Sequence, residues 1–83
     1  GAGILDGDLA IFEPRQYARN GEIVAALIGG EEATIKRFFL KKSRIELRPE
    51  NSHYQSAFYG FDEILIQGKM VGIERGPEQV AKL

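Results

Sequence analysis

One lysine in this chain sits inside a run of residues that could alter its chemistry. Lys36 lies within Ala33-Thr34-Ile35-Lys36-Arg37-Phe38-Phe39-Leu40. A lysine ammonium has an ordinary pKa of about 10.4 and is a solvated charge at neutral pH. Desolvation disfavours the charged form and lowers that value by up to about 3–5 pH units when burial is complete. Ile35 and Phe38-Phe39-Leu40 could surround the stem with apolar groups, and Thr34 could offer a hydroxyl to orient the amine. A neutral amine so placed is a general base. Arginine could not replace it, because a guanidinium does not deprotonate. Taken alone, a strand lysine is more simply a solvated charge.

The other reactive residue types have plainer readings. Asp6 and Asp8 flank Gly7, and a tight turn accounts for them better than a carboxylate pair for acid–base work. Lys36-Arg37, Lys41-Lys42 and Arg44 form a basic cluster that a phosphate could use. Alternation along strands would split these side chains between faces, so a solvated hairpin tip is the expectation. His53 beside Tyr54 reads as a surface loop residue. Phe58, Tyr59 and Phe61 could stack on bases, but core or dimer packing is the simpler role. With no cysteine and one histidine, the 83 residues offer no thiolate or histidine-rich metal site, and no cofactor is expected.

Short β-rich runs must position these groups. Leu9-Ala10-Ile11-Phe12 reads as a strand ended by Pro14. Asn20-Gly21 is a hairpin-type turn leading into the strand Glu22 to Ile28, whose continuous apolar run suits cover on both faces. Gly29-Gly30-Glu31-Glu32 turns the chain into the strand 33–40. Lys41-Lys42-Ser43 is a polar turn, and Arg44 to Arg48 alternates, with Ile45 and Leu47 on one face. Residues 53–60 read as a loop or irregular strand. Glu63 to Gln67 and Lys69 to Glu74 form a last strand or pair, bent or bulged at Gly68. From Pro77 onward one helical turn or a loose tail is expected. Strands at intervals of roughly ten residues, without an amphipathic helix, predict an all-β fold: a small antiparallel sandwich or partly closed barrel.

The last strand would expose unpaired N–H and C=O groups along its edge unless something covers it. Pairing with a second copy would do so. Ile64, Ile66, Met70, Val71 and Ile73 are therefore the candidates for a homodimer interface.

Size and charge bound the function. The chain of 83 residues is one domain, with 43% apolar residues, enough for a compact core. Eleven basic against twelve acidic residues leave a net charge of −1, which argues against a nucleic-acid or membrane surface spread over the whole domain. No apolar run approaches the roughly 18–20 residues of a membrane span. With no signal peptide visible, a cytoplasmic location is expected. The opening Gly1-Ala2-Gly3-Ile4, without an initiating Met, suggests a fragment or processed product.

Several segments in order carry a resemblance: Gly3-Ile4-Leu5-Asp6-Gly7-Asp8-Leu9, Asn20-Gly21-Glu22-Ile23-Val24-Ala25 and Ala33-Thr34-Ile35-Lys36-Arg37-Phe38. Arg48-Pro49-Glu50-Asn51-Ser52 and Gly68-Lys69-Met70-Val71-Gly72 extend it. Each piece alone is common, but their order and spacing are specific. Over about residues 3–75 the chain resembles the self-cleaving C-terminal domain shared by LexA repressors, phage repressors and UmuD-type proteins.

The resemblance implies a mostly β fold, a Ser–Lys dyad, cleavage of the protein's own chain, and dimerisation. Lys36, in Thr34-Ile35-Lys36-Arg37, matches the family's lysine and would be the general base, with Thr34 a hydroxyl to orient it. The family's serine lies a few residues before the Gly3-to-Asp8 segment, so this chain is expected to be truncated at its N-terminal side, without its nucleophile. Ser43, Ser52 and Ser56 stand in other contexts. The fragment itself would then be inactive. The partners implied are a second copy, the RecA–single-stranded-DNA filament that provokes LexA cleavage, and operator DNA held through an N-terminal domain. The alternatives are a UmuD-like accessory to a translesion polymerase, a non-catalytic dimerisation or binding domain, and a small single-strand-binding barrel.

Overall fold

The computed structural model describes residues 9–74, together with the backbone of residue 75 and of residues 79–82. Its strands are β1 (Leu9–Pro14), β2 (Ile23–Ile28), β3 (Glu32–Leu40), β4 (Ile45–Arg48), β5 (Ala57–Tyr59), β6 (Ile64–Arg75) and β7 (Gln79–Lys82). A single 3₁₀ turn, Phe61–Glu63, precedes β6. All pairings are antiparallel, in the order β1-β6-β2-β3-β4-β5, and β7 also pairs β6. The expected all-β antiparallel class holds. The end strands β1 and β5 do not pair among the described residues, so one open sheet forms rather than two facing sheets.

Glycine sets the β2–β3 hairpin. Gly29 (φ 59°) and Gly30 (φ 74°) occupy the left-handed region, and the Glu31 N–H donates to the Ile28 carbonyl at 3.1 Å. Two consecutive positive φ values suit a turn that follows the twist of its strands, and side chains resist them. Asn20-Gly21 also turns, with Gly21 at φ 87°. It does not join β1 to β2, as a hairpin reading would require. β1 and β2 both lie against β6. The turn instead ties the chain to β3: the Gly21 N–H donates to the Phe38 carbonyl (2.8 Å), and the Asn20 side-chain oxygen accepts from the Leu40 N–H (2.6 Å).

β2 is covered on both faces, as its unbroken apolar run suggested. Val24 and Ala26 join Phe38, Ile45, Leu47 and Ile64 in one cluster, while the adjacent Ile23 packs with Met70 and Ile73 on the other face. β6 serves both clusters because its alternation is interrupted. The register skips Gln67 opposite β2 and Val71 opposite β1, which brings Met70 and Ile73 into the same cluster although they are three residues apart. The expected irregularity at Gly68 is a close approach: a Cβ there would stand 3.0 Å from the Glu13 carbonyl oxygen and 3.2 Å from the Phe12 Cβ.

β6 is not an edge, and the argument that placed an interface there fails. β2 pairs its residues 64–69, β1 its residues 68–74, and β7 its residues 72–75. Ile64, Met70 and Ile73 are 6%, 3% and 1% exposed, so the chain's own core consumes their surface. Ile66 and Val71 are half-buried. The helical turn expected after Pro77 is also corrected, since Gln79–Lys82 extends and pairs with β6. Pro77 and the Asp6-Gly7-Asp8 turn lie outside the described residues.

Candidate functional site

Lys36 sits at the middle of β3, directly opposite Val24 of β2. Cross-strand partners share a face, and Val24 is fully buried. Thr34, Lys36 and Phe38 therefore project from the core-bearing face, above Ala26 and Val24. Ile35 and Phe39 project from the other face. The expectation that Ile35 would wrap the lysine stem is thus corrected by strand alternation; Ile35 is 45% exposed. Phe38 does share the face.

The half-buried Lys36 amine donates to the Thr34 hydroxyl at 2.7 Å and to the Ile35 carbonyl at 3.3 Å. Among the described residues no carboxylate pairs with it. An ammonium has three donor positions and these partners occupy two. In the neutral amine the third position is a lone pair. Nearby on β2 and β3, Ala25, Ala26, Ala33, Thr34 and Ile35, with Gln67 of β6, line a shallow cleft. The arrangement offers an amine oriented by a hydroxyl over an apolar floor.

Lys69 occupies the matching position across Val24 on β6. Its ammonium meets Glu22 at 2.8 Å, and Arg15 meets the same carboxylate at 3.3 Å. Glu22 also accepts from the Arg19 N–H at 2.7 Å. Lys69 above all holds the Glu22 carboxyl below its usual range, with help from Arg19 and Arg15 and against the burial that would raise it.

The opposite face of β3–β5 holds a network that sequence reading missed. Glu46 lies in one row with Phe39 and Phe58. It is buried, and it accepts from Arg48 (2.9 Å) and the Ser56 hydroxyl (2.6 Å), with Lys41 at 3.5 Å. Arg48 foremost, then Ser56, push its pKa down to about 2, with Lys41 a lesser cause. Arg48 stacks on Phe39 with its guanidinium carbon 4.0 Å from the ring centre, and Arg44 stacks on Phe58 at 4.2 Å. The available signal was two cations, Lys41 and Arg48, and Ser56 near one glutamate, but only the fold brings them together.

The remaining sequence candidates are dispersed. Ser56 serves Glu46, on the face away from Lys36, and Ser43 lies at the β3–β4 tip. His53 is exposed in a turn closed by its own N–H to Asn51. Arg37 is tied to the Gly21 carbonyl and Glu50. Tyr59 packs against the core, Phe58 faces the other way, and Phe61 rims a groove with Tyr17, Leu40 and Leu65, so the aromatics share no single surface. No helix among the described residues is long and apolar enough to cross a membrane.

Comparison with known proteins gives a consistent result. A family model described as Peptidase S24-like matches residues 2–71. The chain is 54% identical over 74 residues to a LexA repressor of Clostridium perfringens, covering 89% of the chain and 35% of that protein. It is 49% identical to a LexA repressor of Oceanobacillus iheyensis, with the same coverages of 89% and 35%. A LexA repressor of Novosphingobium aromaticivorans is 45% identical, covering 89% of the chain and 32% of the relative. The chain thus spans about a third of the length of these relatives.

Proposed function

The chain belongs to the Peptidase S24-like family, and from that premise we propose that it is part of the self-cleaving C-terminal domain of a LexA-like repressor, with Lys36 as general base. A serine hydroxyl outside these 83 residues approaches Lys36 over the Thr34–Ala26 floor. Neutral Lys36 takes the serine proton as the oxygen attacks the carbonyl carbon of the protein's own peptide bond. The resulting ammonium returns the proton to the departing amine, and water then releases the acyl group from the serine. Thr34 holds the amine in position throughout.

The single observation that carries this reading is that, among the described residues, Lys36 pairs with a hydroxyl and a carbonyl only, on the core-bearing face. Lys69, on the same face, instead sits against a carboxylate. In the whole protein, dimerisation would set two DNA-binding domains on a palindromic operator in the cytoplasm. The RecA–single-stranded-DNA filament would provoke cleavage and so relieve repression of DNA-damage genes.

The test compares the full-length protein with its Lys36→Ala variant at alkaline pH. Cleavage in the parent and none in the variant supports the reading; equal rates remove Lys36 from the mechanism.

A further inference from the structure

The face of β3–β5 turned away from Lys36 presents Lys41, Lys42, Arg44 and Arg48 around Glu46, while Arg37, opposite Arg48 on the same face, is paired with Glu50. The chain as a whole carries a net charge of −1, so this excess is local. Glu46 is buried beneath Arg48 and Lys41, whose side chains remain 49% and 46% exposed. Among the described residues Lys42 and Arg44 have no carboxylate partner.

Two features distinguish this patch from a freely solvated hairpin tip. First, the guanidinium of Arg44 is spread over the Phe58 ring, 4.2 Å from its centre, and Phe58 is itself 45% exposed. A guanidinium supported from below offers its outer plane to a nucleobase, which stacks on arginine as it does on aromatic rings. Second, the β3–β4 turn, closed by the Lys41 N–H to the Arg44 carbonyl at 2.9 Å, forms a shallow groove lined by Lys41, Lys42, Ser43, Arg44 and Phe58. Two ammonium groups, a guanidinium and a hydroxyl there suit phosphate oxygens. Phosphate donors beside a flat stacking plane fit a nucleic acid with unpaired bases better than an acidic peptide, which has no planar group to stack.

We propose that the outer face of β3–β5, centred on Arg44 and Phe58, is a docking surface for single-stranded DNA, with Lys41 and Lys42 on its phosphates and a base on Arg44. The surface is independent of Lys36, which projects from the other side of the same sheet.

The test is fluorescence anisotropy of a labelled oligothymidylate against the 83-residue chain, with circular dichroism of each variant run alongside. Contact with three phosphates gives a slope of about −2 in log affinity against log salt. Lys42→Glu with Arg44→Glu should abolish binding. Arg44→Lys should keep the salt slope and lose about tenfold in affinity, because charge survives and stacking does not. Photocrosslinking with bromodeoxyuridine should label the peptide containing Phe58, a readout independent of how well any variant folds. Absence of salt-dependent binding, crosslinks confined to other peptides, or equal competition by polyglutamate or by duplex DNA would each overturn the proposal.

Discussion

Lys36 and Lys69 stand in one row of the sheet, two strands apart with Val24 between them, and among the described residues a carboxylate holds only Lys69. The same residue type on the same face thus meets two electrostatic environments. Glu22 pairs with the Lys69 ammonium, whereas the described partners of Lys36 are uncharged. Lys36→Ala should lower self-cleavage of the full-length protein by about 10²–10⁴-fold, the usual contribution of a positioned base. Lys36→Arg should fail equally, since it cannot deprotonate. Gel-based cleavage rates and a thermal melt of each variant check that the loss is chemical.

Thr34→Val should remove the 2.7 Å acceptor of the Lys36 amine while keeping the β-branched shape of the strand. A lost hydrogen bond to a charged group is worth about 1.5–3 kcal/mol, so self-cleavage should slow by roughly tenfold or more. Thr34→Ser should restore most of the rate. A valine variant cleaving at the parent rate would show that the hydroxyl plays no part in orienting the amine.

The face of Lys36 was legible from alternation along β3, and so were the double-glycine turn and the two-sided burial of β2. What the local pattern could not state was which strands become neighbours. Asn20-Gly21 looks the same whether or not the flanking strands pair, and here β6 separates β1 from β2. The apolar run in β6 likewise reads as an open edge until its neighbours on both sides are known. Glu46 sits at an outward position of an alternating strand, where a glutamate is normally solvated. Its burial depends on Lys41, Arg48 and Ser56 arriving from two turns and the strand itself.

Glu46 should make stability fall in acid. Its carboxyl has an ordinary value of 4.5 and is held at about 2 in the folded chain. A depressed carboxyl contributes stability above its unfolded pKa and loses it as pH falls through the folded one. The contribution should be complete above about pH 4.5 and gone near pH 2. Thermal melts across that window should show the decline in the parent, and Glu46→Gln should flatten it in part. Glu22, also held low, supplies a further acid-sensitive component.

Gly68→Ala should destabilise the β1–β6 pairing. The added Cβ would press on a backbone oxygen of Glu13 at 3.0 Å, which cannot rotate away. Overpacking of this kind costs about 1–3 kcal/mol, or roughly 5–20 °C in melting temperature for a domain of this size. An unchanged melt would mean that the two strands separate there without penalty.

The placement of β6 also governs how the molecule can be made. It is the partner of β1 and one of the two partners of β2, yet it is synthesised some fifty residues after β1. While residues 64–75 remain inside the ribosome, β1 lacks its partner β6, whereas the β2–β3–β4–β5 meander can already assemble. Until β6 emerges, the nascent chain carries β1 without that partner. Its exposure to chaperones and to aggregation ends only when the penultimate strand emerges.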